Sequence, residues 1–412
     1  MLDTVLKRLI SVGRLEVVDH AGKRRVFEGS RPGPTATIRL ADRATEWRIV
    51  RNPKLAVGEA YMDGRLTVED GDLYGFLDLC ARNLGAPTNL PFHGGWSLLQ
   101  RLTRHIHMFN PVGRAKTNVA HHYDLSDTLY DLFLDRDRQY SCAYFASDND
   151  SLEIAQDNKK RHIAAKLLLE RGQKVLDIGS GWGGMGLYLA EVAGCDVTGV
   201  TLSEEQHKVS NRRAEDAGLN DRVRFKLQDY RDEAGQYDRI VSVGMFEHVG
   251  AGHYLEYFRK VRQLLKPDGV MLLHSIGRME PPGGTNPWLR KYIFPGGYTP
   301  ALSETLRALE RAGLWVTDIE ILRLHYAKTL REWRRRFNAN RARIEQIYDE
   351  RFGRMWDFYL AGCEVAFRHM GQMVFQMQIT REQTAVPLTR DYMVDWERER
   401  MSDQPMANQS VA

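Results

Sequence analysis

The sequence predicts an α/β fold: a doubly wound, mostly parallel sheet preceded by a smaller α+β domain. Three observations carry this. From about Gln173, apolar runs alternate with amphipathic ones: KVLDIG, GMGLYLAEVA, DVTGVTL, EEQHKVSNRRAEDAG, VRFKLQD, DRIVSVG, then GVMLLHSIG after LLKPDG. Strands alternating with helices in this way build a parallel sheet covered on both faces. A glycine-rich turn, GSGWGG, joins the first strand to the first helix, and the carboxyl edge where it lies is where such sheets bind ligands. Ahead of these elements, an amphipathic opening helix and period-two stretches such as RLEVVDH and ATIRLA read as a separate small unit. The later WRIVRNPKLAVGEAYMDGRL and the apolar helix around LYGFLDLCA extend it.

A chain of 412 residues exceeds one ordinary core, and 43% hydrophobic residues suffice for two. The expected organisation is an N-terminal domain over 1–90, a linker over 91–117 rich in Gly, Pro, Asn and His, a catalytic domain over 118–395, and a flexible tail over 396–412. No run approaches the roughly 18 apolar residues of a membrane span. The N-terminus breaks its apolar residues with charges, unlike a secretion signal. A soluble, cytoplasmic protein is expected.

Four cysteines, Cys80, Cys142, Cys195 and Cys363, lie far apart with no CxxC pair, which argues against disulfides and zinc. The adjacent His121 and His122 have no third ligand at metal spacing, so no metal is expected. The net charge of +4 is small, but ten Lys/Arg against four Asp/Glu fall between Arg323 and Arg354. That run reads as a solvated helix face, an anionic membrane surface or a nucleic-acid contact. No aromatic-basic RNA signature accompanies it, so no nucleic-acid partner is expected.

In VLDIGSGWGG, Gly179, Gly181 and Gly183 allow a tight turn and a close backbone approach to a ligand. A dinucleotide site wants a carboxylate at the end of the next strand, yet that strand ends GVTLS, with nothing acidic before Glu204. Asp177, two residues before the first glycine, is instead the acidic position of S-adenosylmethionine-dependent methyltransferases. QDY, ending at Tyr230, suits an adenine ring at the end of the third strand.

Seven strings go further. AHHYDLSDTLYDLFLDRDRQYSCAYF, VLDIGSGWGG, GVTLSEEQ, MFEHVG, LLHSIG, WLRKYIFPGGYTP and LHYAKTLREW occur in order from about Ala120. Together they closely resemble the cyclopropane-fatty-acyl-phospholipid synthases, whose sheet is of the class I methyltransferase type. The N-terminal stretch with LAVGEAYMDGRL is similar to the extra domain of the full-length bacterial enzymes, which the shorter mycolic-acid cyclopropane synthases lack. The resemblance implies that this domain aids lipid capture, that the protein is a homodimer, and that it works peripherally on the inner face of the membrane. The implied substrate is an unsaturated phospholipid in the bilayer.

The implied reaction transfers a methylene group from S-adenosylmethionine to a cis double bond. Methylation of the alkene leaves a carbocation, and ring closure removes a proton from the new methyl. The resemblance gives that proton to a bound bicarbonate held by Cys142, Glu247, His274, Ile276 and Tyr326, the isoleucine acting through its backbone. Bicarbonate has one hydrogen for Glu247 and acceptor oxygens for the other groups. Read without the family, Cys142 is a buried packing thiol, Glu247-His248 a solvated or capping pair, His274 a core histidine and Tyr326 a packing residue.

For the cofactor, the implied set is Tyr140 and Ser141 over the methionine end with Gly179 and Gly181 beneath, Thr201 and Gln206 at the ribose, and Tyr230 at the adenine. IFPGGYTP, Ile293 to Pro300, is expected either to face lipid or to be an ordinary loop over the sheet. Tyr144, Phe145, Phe246 and Tyr359 are candidate walls of an acyl channel. Two rival functions stay open: a related methyltransferase giving methylene- or methyl-branched chains, and a non-catalytic protein that binds S-adenosylmethionine.

Overall fold

The computed structural model describes residues 2–84 and 127–402, so the expected linker and the His121-His122 pair lie outside the described residues. The N-terminal unit is a four-stranded sheet in the order β2-β1-β3-β4, built from β1 (Val12–Val18), β2 (Arg24–Glu28), β3 (Arg31–Leu40) and β4 (Leu66–Asp70). The β1/β3 pair is parallel and the other two pairs are antiparallel.

α1 (Leu2–Leu9) precedes the sheet, α2 (Arg43–Arg51) and α3 (Pro53–Met62) connect β3 to β4, and α4 (Leu73–Leu84) follows. The Asp42 side chain starts α2 by accepting from the Thr45 amide at 2.7 Å. Pro53 opens α3, where a missing N–H leaves no bond unmade. Leu15, Val17, Phe27, Ile38 and Leu40 point inward against Phe76 and Leu79 of α4.

The large sheet has seven strands in the order β10-β11-β9-β8-β5-β6-β7. They are β5 (Lys174–Ile178), β6 (Asp196–Thr201), β7 (Val223–Leu227), β8 (Tyr237–Val243), β9 (Leu265–Arg278), β10 (Trp315–Ile321) and β11 (Gln372–Thr380). Neighbours from β7 to β9 run parallel, while β11 enters antiparallel between β9 and β10. β5 has β6 on one side and β8 on the other. The order therefore reverses at β5, and a crevice opens at its carboxyl end.

α5 (Asp127–Phe133) and α6 (Leu152–Ala165) lead into the sheet, and α7 (Gly184–Ala193), α8 (Glu204–Asp216), α9 (Tyr254–Leu264), α10 (Pro287–Tyr292) and α11 (Leu302–Ala312) lie between strands. α12 (His325–Ala339), α13 (Arg341–Ile347) and α14 (Glu350–His369) form a helical insert between β10 and β11. Ala361 and Val365 of α14 belong to the hydrophobic core of the N-terminal unit. That unit is thus docked on the insert.

Residues 396–402, expected within a flexible tail, are helical. α15 (Asp391–Ser402) is a helix with Met393 buried, and its Glu397 bonds to His162 of α6 at 2.7 Å. Met393, Trp396 packed on the sheet core, and the bonds of Tyr392 to Gln378 and Glu397 to His162 hold the helix in place.

Candidate active site

The glycine turn crosses the crevice with φ of +82° at Gly179, +55° at Gly181 and +84° at Gly183. These left-handed values favour glycine. A Cβ on Gly179 would meet Met245 Cβ at 2.7 Å, whereas one on Gly181 would meet nothing within 4 Å. Gly181 therefore borders open space, and the turn forms a cradle. Tyr140, Ser141, Asp177, Gly179, Gly181, Thr201, Gln206 and Tyr230 all line the cleft above it.

Several polar atoms face this cleft unsatisfied. Asp177 Oδ2 and Ser180 Oγ are buried with no hydrogen-bond partner in the structure. Burial pushes the Asp177 carboxyl up to about 7, against the pull of Lys159. Thr201 Oγ1 donates to Gln206 Oε1 at 3.0 Å, so the amide NH2 is what Gln206 offers the cleft. Tyr230 is held edge-on by Tyr257 with ring centres 5.3 Å apart. These features fit a cationic, hydroxyl-bearing ligand with a flat ring such as S-adenosylmethionine.

The wall formed by residues 135–141 rests on charged residues that the sequence reading did not single out. Asp137 bonds to Lys160 at 2.6 Å and also to Arg213. Burial opposes ionisation of Asp137, but these two cations outweigh it and hold the carboxyl below its usual range. Lys159 is fully buried beneath the wall, bonded to Ser141 Oγ at 2.9 Å and to Gln139. Burial brings it down to about 8. None of these three cations was marked by a local motif, because Lys159 and Lys160 lie about twenty residues, and Arg213 lies 76 residues, from the groups they meet.

Cys142, Glu247, His274, Ile276 and Tyr326 do not line this cleft. They lie deeper, in two groups. Cys142 and Tyr326 share an apolar cluster against which Ile276 and Tyr140 pack. Burial drives the Cys142 thiol far above its ordinary value, so it is not a thiolate nucleophile.

Glu247 sits in the turn after β8, where its Oε1 accepts from the Ile276 amide at 2.6 Å. Its Oε2 is buried without a partner, and burial pushes this carboxyl up to about 7. The Ile276 amide, which the family resemblance assigned to a bound anion, is instead bonded to Glu247. A buried carboxylate takes the nearest donor. His274, two residues before Ile276 on β9, is buried, and burial holds its pKa well below the ordinary value, so the imidazole is neutral. Its Nδ1 faces Gln376 Nε2 at 3.1 Å.

Three expectations about the surroundings change. IFPGGYTP is the ordinary loop: Ile293 and Tyr298 are buried, and the Tyr298 amide donates to the Glu247 carbonyl at 2.9 Å. It roofs the site instead of facing lipid. Phe246 belongs to the core under α9, stacked on Tyr254 at 4.3 Å, and Tyr144 is stacked between His162 and His325. Tyr359 does face the site, its hydroxyl 2.9 Å from that of Tyr140.

Third, the basic run is largely neutralised. Lys328, Arg331, Arg334, Arg335, Arg336, Arg341, Arg351 and Arg354 each pair with a carboxylate. Among the described residues no helix is long and apolar enough to cross a membrane.

Comparison with known proteins identifies the family. Residues 112–377 match the family model for mycolic acid cyclopropane synthetase. The chain is 39% identical over 368 residues to the cyclopropane-fatty-acyl-phospholipid synthase of Escherichia coli, covering 89% of this chain and 92% of that protein. It is 36% identical to the tuberculostearic acid methyltransferase UfaA1 of Mycobacterium tuberculosis, covering 81% of each.

The crystal structure of mycolic acid cyclopropane synthase CmaA1 complexed with SAH and CTAB superposes with a TM-score of 0.62 at 34% identity, covering 66% of this chain and 99% of that one. The sheet is that of the class I methyltransferases. The chain belongs to the cyclopropane-fatty-acyl-phospholipid synthase family of S-adenosylmethionine-dependent methyltransferases.

Proposed function

We propose that the protein closes a cyclopropane ring on the cis double bond of an unsaturated phospholipid acyl chain, with bicarbonate as the proton acceptor. The observation that carries this reading is the buried, unpartnered Glu247 Oε2 behind the cofactor cleft. When bound, S-adenosylmethionine supplies an electrophilic methyl and bicarbonate supplies a base.

The chain's residues orient both. Asp177 and Ser180 take the polar methionine end under Tyr140 and Ser141, Gln206 with Thr201 meets the ribose, and Tyr230 meets the adenine. Glu247 Oε2 accepts the single hydrogen of the anion, while His274 and the Tyr326 hydroxyl donate to its oxygens. Ile276 acts through Glu247, locking one carboxylate oxygen so that the other is aimed. Cys142 is an apolar wall. The aromatic side chains of Tyr140, Tyr326, Trp333 and Tyr359 surround the alkene, where their faces favour positive charge.

Similarity to a tuberculostearic acid methyltransferase supports the rival reading of a branched product. Incubation with labelled S-adenosylmethionine and a defined monounsaturated phospholipid, followed by proton NMR, separates the two. Upfield ring-methylene signals are expected. Olefinic methylene or branched methyl signals in their place overturn the assignment.

For the lipid surface, α2 is the best-supported contact. Trp47 is 60% exposed, and Arg43 and Arg51, one turn either side, make no ion pair among the described residues. Lys54 follows at the start of α3. An exposed indole flanked by free cations suits an anionic headgroup layer. Glu59 of α3 bonds Arg48 of α2 at 2.6 Å and Lys291 of α10 at 2.7 Å, which ties this face to the segment roofing the site. The arrangement supports peripheral binding to an anionic membrane surface, and the cytoplasmic face is part of the same proposal.

A further inference from the structure

We infer that Lys166 and Gln376 are positioning residues that lock His274 as the tautomer protonated on Nε2. This rests on the reading of His274 as a donor to the bound base. His274, Gln376 and Glu320 form a row across three adjacent strands: Gln376 of β11 is in register with His274 of β9 on one side and with Glu320 of β10 on the other. Lys166, at the end of α6, reaches this row, pairing with Glu320 and donating to Gln376 Oε1 at 2.6 Å. Its side chain is almost wholly buried.

The tautomer follows from donor and acceptor counting. A lysine ammonium has three hydrogens and no lone pair to share, so the group facing it must accept. The Gln376 carbonyl oxygen is therefore turned to Lys166, and the NH2 is turned to His274. Gln376 Nε2, now a donor 3.1 Å from His274 Nδ1, requires that nitrogen to be unprotonated. The neutral imidazole then carries its hydrogen on Nε2.

The row is anchored further out. Both nitrogens of His162 lie 2.7 Å from carboxylates, Nε2 from Glu320 and Nδ1 from Glu397. Glu320 is thereby held between His162 and Lys166; burial pulls the Lys166 pKa below its ordinary value, and the Glu320 carboxylate opposes that pull. The function of this buried line is orientation, since an amide in the middle of it does not carry protons along.

The test uses the full chain with 15N-labelled histidine, the His274 signals being assigned by their loss in His274→Gln. In the native protein Nδ1 should show the shift of an unprotonated ring nitrogen and Nε2 that of a protonated one. Gln376→Glu places an acceptor opposite Nδ1 and should reverse the two, lowering kcat by on the order of 10²-fold with little change in the KM for S-adenosylmethionine. Lys166→Met frees the amide and should give mixed tautomers, while Lys166→Arg should restore the native pattern. Protonated Nδ1 in the native chain, or unchanged tautomers in Gln376→Glu and Lys166→Met, overturns the inference. A reversed tautomer with undiminished kcat leaves the tautomer lock standing and overturns the role given to His274.

Discussion

The Ile276 amide holds one oxygen of Glu247 at 2.6 Å while the other, equally buried, has nothing to accept from. A carboxylate fixed at one end and open at the other is a directed acceptor. Its rigidity comes from the β9 backbone, and its cost is the raised pKa.

Glu247→Gln should keep the bond from Ile276 to the side-chain oxygen and turn an NH2 into the place of Oε2. An acceptor becomes a donor at constant shape. Turnover should fall by about 10²- to 10⁴-fold, with S-adenosylmethionine affinity by calorimetry changed less than about threefold. An equal loss of affinity would place Glu247 in the cofactor site.

Asp177, with its carboxyl raised to about 7 by burial, is mostly protonated at pH 6 in the free protein. A cationic ligand favours the ionised form, so binding at pH 6 should release a proton and affinity should rise between pH 6 and 8. Calorimetry in buffers of different ionisation enthalpy reads this directly. Asp177→Asn should abolish the release. The same raised pKa contributes stability that is present below the unfolded value near 4 and is lost as pH climbs through 7.

Gly181→Ala and Gly179→Ala should fail differently. Both residues have positive φ, at a cost of roughly 1–2 kcal/mol for a Cβ. Only Gly179→Ala also drives a methyl into Met245. Gly181→Ala should therefore stay folded and lose cofactor binding, while Gly179→Ala should show the larger drop in urea midpoint. Equal drops would contradict the clash at Met245, and unimpaired cofactor binding by Gly181→Ala would contradict the assignment of the open space to the ligand.

His162 is buried, which alone would lower its pKa, but the hydrogen bonds it donates to Glu320 and Glu397 outweigh burial and raise it. A raised histidine pKa stabilises fully below the unfolded value near 6.5 and is lost as pH rises through the folded value. Glu397→Gln should cost about 1–2 kcal/mol at pH 6 and less at pH 9. A pH-independent cost in urea titrations would show that the charge plays no part.

Trp47→Ala and the charge reversals Arg43→Glu and Arg51→Glu should each weaken binding to anionic vesicles. The loss is about 1 kcal/mol or more per cation, roughly fivefold in partition, and added salt should reduce the difference. Sedimentation with neutral and anionic vesicles is the measurement. Salt-insensitive binding equal for both would remove α2 from the interface.

What the sequence made readable is what is local in it. VLDIGSGWGG encodes strand, turn and helix in ten residues, and its neighbours Thr201, Gln206 and Tyr230 follow their own strands by short intervals. Lys159, Lys166 and Gln376 were invisible because their partners sit 18 to 210 residues away and are met only through packing. The same distance left the alternatives for the basic run open: Arg336 pairs with Glu153 and Arg351 with Asp63, carboxylates no window around the run contains. IFPGGYTP looked like a lipid-facing segment because apolar composition does not say which surface a loop covers.

The antiparallel entry of β11 between β9 and β10 has a further bearing, on synthesis. The strands that build the cofactor cradle are complete by residue 243, but β9 gains its second neighbour only when residues 372–380 have been made. A ribosome-bound chain can thus shape its nucleotide pocket while the strand bearing His274 is still an unpaired edge. A nascent fragment ending before β11 leaves one side of β9 unpaired, at the strand on which the proposed role of His274 depends.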